Sequence, residues 1–367
     1  MKRPYFYLSV CILLLFGVVF FFYPTGWEAQ LVRKIKKGKP PAWAIEQIRE
    51  DLKSFAKQGV RKELLDQVMA RDTGELFFVR YQIKGEEVLM INQGKLSPVA
   101  ASRALLIQEA LRSLAKCTPL PEVDFVLTVH DALMAGDFPG PVFAFAKDGL
   151  NSRGILFPDA EALGGNLKEL EEVRQGSKKF PWDKKIAKGY WRGATTGRGF
   201  SSRDFFELLR TKVVALSLKH SESIDAKFTQ LVQCADPENV QDGFASYFGK
   251  GIPVRKHLAY KYQLLLDGNS CSYTRAYWQL FSGCPIFKHA STHVQWYYRG
   301  LQPNVHYIPL QSDCSDLVEK IEWAKLHDEE VRAIGNEAYR FAQENLTHID
   351  ILYYVYLLLL EYSKLCA

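Results

Sequence analysis

Past residue 40 the chain alternates between short apolar runs and longer stretches with apolar residues every third or fourth position. The runs predict buried strands and the spaced stretches amphipathic helices. Residues 42–56 and 60–70 carry the helical spacing, with Gly59 as a break between them. Residues 75–83 and 87–91 read as strands around the turn Lys84-Gly85. A helix over 102–115 and strands over 123–129 and 142–146 follow. Residues 161–185, charged and containing Gly164-Gly165, read as a loop-rich hinge. Beyond it the pattern predicts a strand at 189–192, a helix at 202–212 and a strand at 213–216. A further strand then turns at Asp267-Gly268 into a helix carrying Arg275, and a strand follows at 284–287. Residues 315–326 and 328–344 are two amphipathic helices. ILYYVYLLLL, residues 351–360, is too short to cross a bilayer and is expected as a buried helix packed on both domains. Helices alternating with short apolar strands argue for an α/β protein, and 367 residues suffice for two domains.

At one place the apolar pattern has no period. YFYLSVCILLLFGVVFFFY, residues 5–23, approaches the length of about 20 residues that spans a bilayer core. The PTGWEAQ that follows is a poor cleavage site, so an uncleaved N-terminal transmembrane helix is expected rather than a signal peptide. Lys2 and Arg3 precede the run, and Arg33, Lys34, Lys36, Lys37 and Lys39 follow it. The heavier basic flank tends to stay cytoplasmic, which puts the body on the cytosolic side of a single-pass membrane protein, with anionic headgroups as partner.

Charge adds little else. The formal net charge is +6, and residues 1–40 hold seven basic side chains against one acidic. The remaining chain balances, 40 against 40, so no basic face for nucleic acid is indicated. Seven cysteines include no CxxC, which argues against a zinc knuckle or redox motif. No Asp-x-Asp and no His/carboxylate cluster stands out, so no metal is expected.

Three segments offer chemistry. VDFVLTVHDAL ends a buried strand at His130-Asp131, where a carboxylate serves as a general base or merely caps the next turn. GYWRGATTGRGFSSRDFFELLR, residues 189–210, sets Arg192 beside Gly193, Thr195 and Thr196, donors suited to a phosphate or simply a surface loop. DGNSCSYTR gathers Ser272, Tyr273 and Arg275 at a helix start, where free N–H groups and the helix dipole favour an anion.

With these motifs in order, WRGATTG, KYQLLLDGNSCSYTRAYWQLFSGCPIF and PNVHYIPL, the chain resembles glycosyltransferase family 90 over roughly residues 115–365. The resemblance implies a GT-B fold, two Rossmann-like domains facing across a cleft. On it, residues 1–30 are an anchor, 31–175 an acceptor-side domain, 176–345 a nucleotide-sugar domain and 346–367 a closing helix. It implies inverting, metal-independent transfer of a sugar, glucose or xylose, from a UDP-sugar to a hydroxyl on a glycan, lipopolysaccharide or protein. Asp131 then matches the base; Arg192, Gly193, Thr195, Thr196, Ser272, Tyr273 and Arg275 match donor-binding positions. Relatives often carry serine at Ala194 and, in animals, glutamate at Gln295, and the animal disulfide cysteines have no counterparts here. These departures leave sugar and acceptor open. The anchor fits a bacterial inner-membrane transferase of envelope polysaccharide, with a Golgi or ER lumenal enzyme as the competing location. A catalytically silent carbohydrate- or nucleotide-binding protein is the alternative from another class.

Overall fold

The computed structural model describes residues 9–14, 17–22, 26–72, 74, 76–92, 94–133, 138–149, 154–165 and 167–366. The first elements correct an expectation. Where a transmembrane helix was predicted, β1 (Ser9–Leu14) and β2 (Gly17–Phe22) form an antiparallel pair. The rest of that prediction, residues 5–8, 15–16 and 23, lies outside the described residues. Among the described residues no helix is long and apolar enough to cross a membrane. The segment is rich in phenylalanine and valine, which prefer strands, and an apolar run without period does not separate strand from helix.

The chain divides into two compact units. Unit 1 comprises Met1–Leu167, His293–Gly300 and Glu344–Ala367. Its sheet holds β3 (Phe78–Lys84), β4 (Glu87–Ile91), β5 (Val123–Thr128), β6 (Val142–Ala144) and β8 (Gly154–Leu156) in the order β4-β3-β5-β6-β8. β3 is antiparallel to both neighbours, whereas β5, β6 and β8 are parallel. Between β6 and β8, β7 (Ala146–Asp148) pairs with β13 (His293–Gln295). The helix Pro98–Cys117 starts at Ser97, whose hydroxyl accepts from Ala100 N. The helix His348–Ser363 is opened by a capping box between Thr347 and Asp350. Its Tyr362 ring meets Phe143 at 5.0 Å, Phe143 meets Phe125 at 4.7 Å, and all three rings are buried. The expected buried helix is there, and it belongs to unit 1. One ion pair is sealed in this core: Lys147 Nζ lies 2.6 Å from Asp51, whose other oxygen accepts from Leu156 N.

Unit 2 comprises Lys168–Thr292 and Leu301–Gln343. Here β9 (Ile186–Ala194), β10 (Ile224–Gln230), β11 (Tyr260–Leu265), β12 (Ile286–His289) and β14 (Ile308–Leu310) form an all-parallel sheet. The order is β10-β9-β11-β12-β14, a doubly wound arrangement. The helices Leu209–Lys219 and Leu317–Leu326 contribute Val213, Val214, Leu317 and Ile321 to its core, with Trp191, Phe228 and Tyr262 from the strands.

Several element readings need correction. The helix expected at 202–212 begins only at Leu209, after the short turn Phe205–Glu207. Residues 161–185 are not a loop: Ala160–Leu163 and Leu167–Lys179 are helices, the second mostly charged, with side-chain pairs such as Glu171–Arg174 and a narrow apolar face from which Val173 is buried. The predicted strand at 213–216 lies inside the helix Leu209–Lys219; Val213 and Val214 suggested a strand, but Arg210, Thr211, Val213, Val214 and Ser217 are buried with helical spacing. β10 was missed because its alternation, IDAKFTQ, is short and half-polar.

Candidate functional site

In unit 2 the chain leaves β9 toward β10 and leaves β11 toward β12, so the connections part in opposite directions between β9 and β11. Loops 195–200 and 266–272 follow the carboxyl ends of these two neighbours. A parting of this kind is where open parallel sheets hold ligands.

One buried side chain ties the two loops together. Arg210, in the first turn of the helix Leu209–Lys219, is 8% exposed. Its Nη1 donates to Ala194 O at 2.9 Å and to Thr196 Oγ1. Its Nε donates to Asp267 O at 2.8 Å, and Nη2 donates to Leu266 O at 3.2 Å and distantly to Ser272 Oγ. The turn packs so closely that a Cβ on Gly268 would lie 2.5 Å from Thr196 Oγ1 and 2.9 Å from Arg210 Nη2.

Beneath the loops lies Trp191, fully buried on β9. Gly193 admits its ring: a Cβ at that position would stand 2.5 Å from Trp191 Cζ2. Two guanidiniums lie over this ring, Arg210 at 5.3 Å and Arg275 at 5.9 Å from the centroid. Arg275 comes from the helix Tyr273–Leu280; its Nη2 donates to Arg192 O, and its Nη1 is buried without a hydrogen-bond partner. Among the described residues neither guanidinium has a carboxylate ion-pair partner. Burial pushes Arg275 down to about 10; burial, and next the Arg275 charge, push Arg210 down to about 9. Both remain cationic at neutral pH; the Asp267 carboxylate offsets part of the Arg210 charge through space, and with no ion-pair contact to either guanidinium net positive charge is concentrated at the start of a helix.

The other residues singled out in this unit divide. Ser272 occupies the N-cap position of the Arg275 helix, with its hydroxyl donating to Leu266 O at 2.6 Å. Tyr273 OH lies 3.1 Å from Ser270 Oγ. Thr195 is buried, and its hydroxyl donates to Val232 O and accepts from Val232 N, both at 2.8 Å, which fastens the loop to the chain beyond β10. The Arg192 side chain takes the face of β9 opposite Trp191, lies 4.5 Å over the Tyr190 ring and binds Asp225 through Nη2 at 2.7 Å. Its charge is therefore matched by a carboxylate. Gly193, Thr196, Ser272 and Arg275 are gathered around Trp191 and Arg210; the Arg192 side chain and the Thr195 hydroxyl point to other partners.

In unit 1, Asp131 follows the carboxyl end of β5, three residues past Thr128. Arg103, from the helix Pro98–Cys117, donates from Nη2 to Asp131 Oδ1 and from Nη1 to Val129 O, both at 3.0 Å. Arg103 thus links the carboxylate to the carbonyl at its own strand end, and Asp131 keeps 32% of its side chain exposed. His130 lies beside it, its ring stacked 6.2 Å from Phe77.

Arg210, Arg103 and Asp225 escaped the sequence reading. Arg210 had a signal in hindsight: in ELLRTKVV it shares the apolar helical face with Val213 and Val214, and a cation there needs a built environment. Arg103 and Asp225 had none, since exposed arginines and aspartates are ordinary on helices and strand ends. Among the described residues no cluster of three or more histidines, cysteines or carboxylates is arranged to hold a metal.

With that geometry in view, the profile of Glycosyl transferase family 90 matches residues 40–367. The chain belongs to this family. It is 30% identical over 301 residues to "Protein O-glucosyltransferase 2" of Danio rerio, an alignment covering 78% of this chain and 55% of that protein. It is 29% identical over 298 residues to "Protein O-glucosyltransferase 3" of Rattus norvegicus, covering 78% and 54%. With "Protein O-glucosyltransferase 1" of Rattus norvegicus the identity is 25% over 334 residues, covering 86% and 79%. The chain thus spans about half the length of the first two relatives.

Proposed function

We propose that the protein transfers a sugar, glucose above xylose, from a UDP-sugar to a hydroxyl on a glycan, lipopolysaccharide or protein, with inversion. The observation that carries this reading is the uncompensated positive charge of Arg275 at a helix start beside the β9–β11 parting, in a chain of this family. A nucleoside diphosphate is the leaving group whose two phosphates need such a place. The relatives' names favour glucose and a protein hydroxyl over the other members of each class.

The roles proposed for the residues are those the family resemblance implied, except at Thr195 and Arg192. Unit 2 takes the donor: Arg275 and the first N–H groups of its helix receive the diphosphate, with Ser272, Tyr273, Gly193 and Thr196 forming the wall around it. Thr195 and Arg192 hold the carboxyl end of β9 in shape behind that wall. Unit 1 supplies the base. Asp131, fixed by Arg103, takes the acceptor proton as the hydroxyl oxygen attacks the anomeric carbon from the face opposite the departing UDP. The charge developing on UDP is met by arginine and helix-terminal N–H groups, so no metal is required.

The test is UDP release by the full chain from UDP-glucose, with water or an added glycoside as acceptor, in the presence of EDTA. The reading expects turnover that survives EDTA and disappears in Arg275→Met. Turnover abolished by EDTA and restored by a divalent ion refutes the metal-free part; equal turnover in Arg275→Met refutes the donor site.

A further inference from the structure

We infer that Arg210 is a positioning residue for the donor diphosphate, holding the two phosphate-facing loops together and lending them a positive charge that no contact ion pair closes. The inference deepens the nucleotide-sugar reading and rests on it. It departs from the family-based expectation, which put the second donor-side charge on Arg192.

The geometry separates the two arginines. Arg192 lies on the Tyr190 face of β9 with Asp225 at 2.7 Å, so at any distance its field is that of a closed ion pair. Arg210 is on the Trp191 side, where every bond it donates ends on a neutral oxygen: the carbonyls of Ala194, Leu266 and Asp267 and the hydroxyls of Thr196 and Ser272. The Asp267 carboxylate, which faces His289 at 3.6 Å, acts on Arg210 through space and offsets only part of its charge. Those acceptors belong to both loops at once, at the carboxyl ends of β9 and β11. Burying a cation among carbonyls costs free energy unless something repays it. A protein needing only a strut would do better with a neutral side chain or a paired one. The second buried cation, Arg275, sits over the same indole and raises the cost further by like-charge repulsion. A dianionic or trianionic ligand at the loops removes both penalties, because in a part-buried place two cations attract it more strongly than exposed ones would. Arg210 does this without touching the ligand, since its N–H groups are already engaged. It therefore acts through loop position and field, and its charge matters only for a ligand that carries phosphate.

That last property distinguishes it from a strut of the fold. The experiment measures dissociation constants of the full chain for UDP, inorganic pyrophosphate and uridine by calorimetry, in the parent, Arg210→Met, Arg210→Gln and Arg210→Lys, with thermal unfolding of each. The inference expects UDP and pyrophosphate affinity to fall tenfold or more in Arg210→Met and Arg210→Gln, with uridine unchanged. It expects Arg210→Lys to recover most of the loss. UDP and uridine weakened by the same factor, or UDP binding unchanged, would overturn it. So would failure of both neutral variants to fold while Arg210→Lys folds, which would make Arg210 a strut. A parent that binds pyrophosphate but not UDP sinks the nucleotide reading while leaving Arg210 testable on pyrophosphate; a parent that binds neither sinks both.

Discussion

Gly193→Ala puts one methyl group against the centre of the donor site. The added Cβ would lie 2.5 Å from Trp191 Cζ2, 3.0 Å from Cη2 and 3.2 Å from Cε2. The indole is fully buried and flanked by Phe228 at 5.8 Å, so it has no solvent to retreat into and has to shift by close to an ångström. Overpacking of this kind costs about 1–3 kcal/mol. For a unit of this size, each kcal/mol lowers Tm by roughly 2–4 °C. The same shift moves the ring under Arg210 and Arg275, and weakening two buried cation–π contacts by a total of about 1.4 kcal/mol corresponds to about a tenfold loss of UDP affinity. Differential scanning fluorimetry and UDP titration read the two effects on one sample. Gly199→Ala is the control, because nothing lies within 4 Å of a Cβ built there, and neither quantity is expected to move. If Gly193→Ala matched the parent in both Tm and UDP affinity, the packing of Trp191 as the floor of the site would be wrong.

Other predictions follow from the same structure. Asp131→Asn keeps the shape that Arg103 grips but cannot take a proton, so kcat should fall by about 10²–10⁴ while UDP affinity stays within twofold; Arg103→Met should lower kcat by a smaller factor, since it releases the carboxylate without removing it. Lys147→Met leaves Asp51 buried and uncompensated in unit 1, and denaturant unfolding should show a loss of about 3–5 kcal/mol. Burial pushes His257 down to about 3 and His348 down to about 4, so both are neutral in the native state at pH values where the unfolded chain protonates them. Below pH about 6.5 the unfolded state binds the extra protons, so stability is expected to fall with pH until the folded values are reached, by up to about 1.4 kcal/mol per pH unit for each histidine. Tm followed from pH 7 to 4.5 should drop less in His348→Leu than in the parent; parallel curves would contradict this.

What the sequence revealed, and what it hid, follows physical lines. Strands and helices with strong periodicity were legible: residues 87–91 were expected as a strand and β4 is Glu87–Ile91, and the expected helix over 328–344 is Asp328–Asn345. The helix Leu167–Lys179 was not, because it is mostly charged and its apolar face is narrow, with Val173 in a buried cluster. The apolar segment near the N-terminus was read as a membrane helix from length alone, and its β-branched and aromatic content carried the opposite preference. In the site, motif residues close in sequence were visible together, such as Ser272, Tyr273 and Arg275. Long-range pairings were not: Arg103 meets Asp131 and Arg192 meets Asp225 only after the sheets have formed. Arg192 shows the limit most clearly, since its contacts with Asp225 and the Tyr190 ring are set by strand alternation and sheet pairing, which its place beside a glycine-rich loop does not reveal.

Transfer of sugar is the most direct test of the central proposal. The full chain would be incubated with UDP-glucose, UDP-galactose and UDP-xylose in turn, and UDP release and the anomeric configuration of the product followed. The account predicts preferential use of one donor, UDP-glucose first, an inverted product, loss of turnover in Asp131→Asn with UDP still bound, and loss of UDP binding in Arg275→Met. A retained configuration, or turnover at the parental rate in Asp131→Asn, would contradict it.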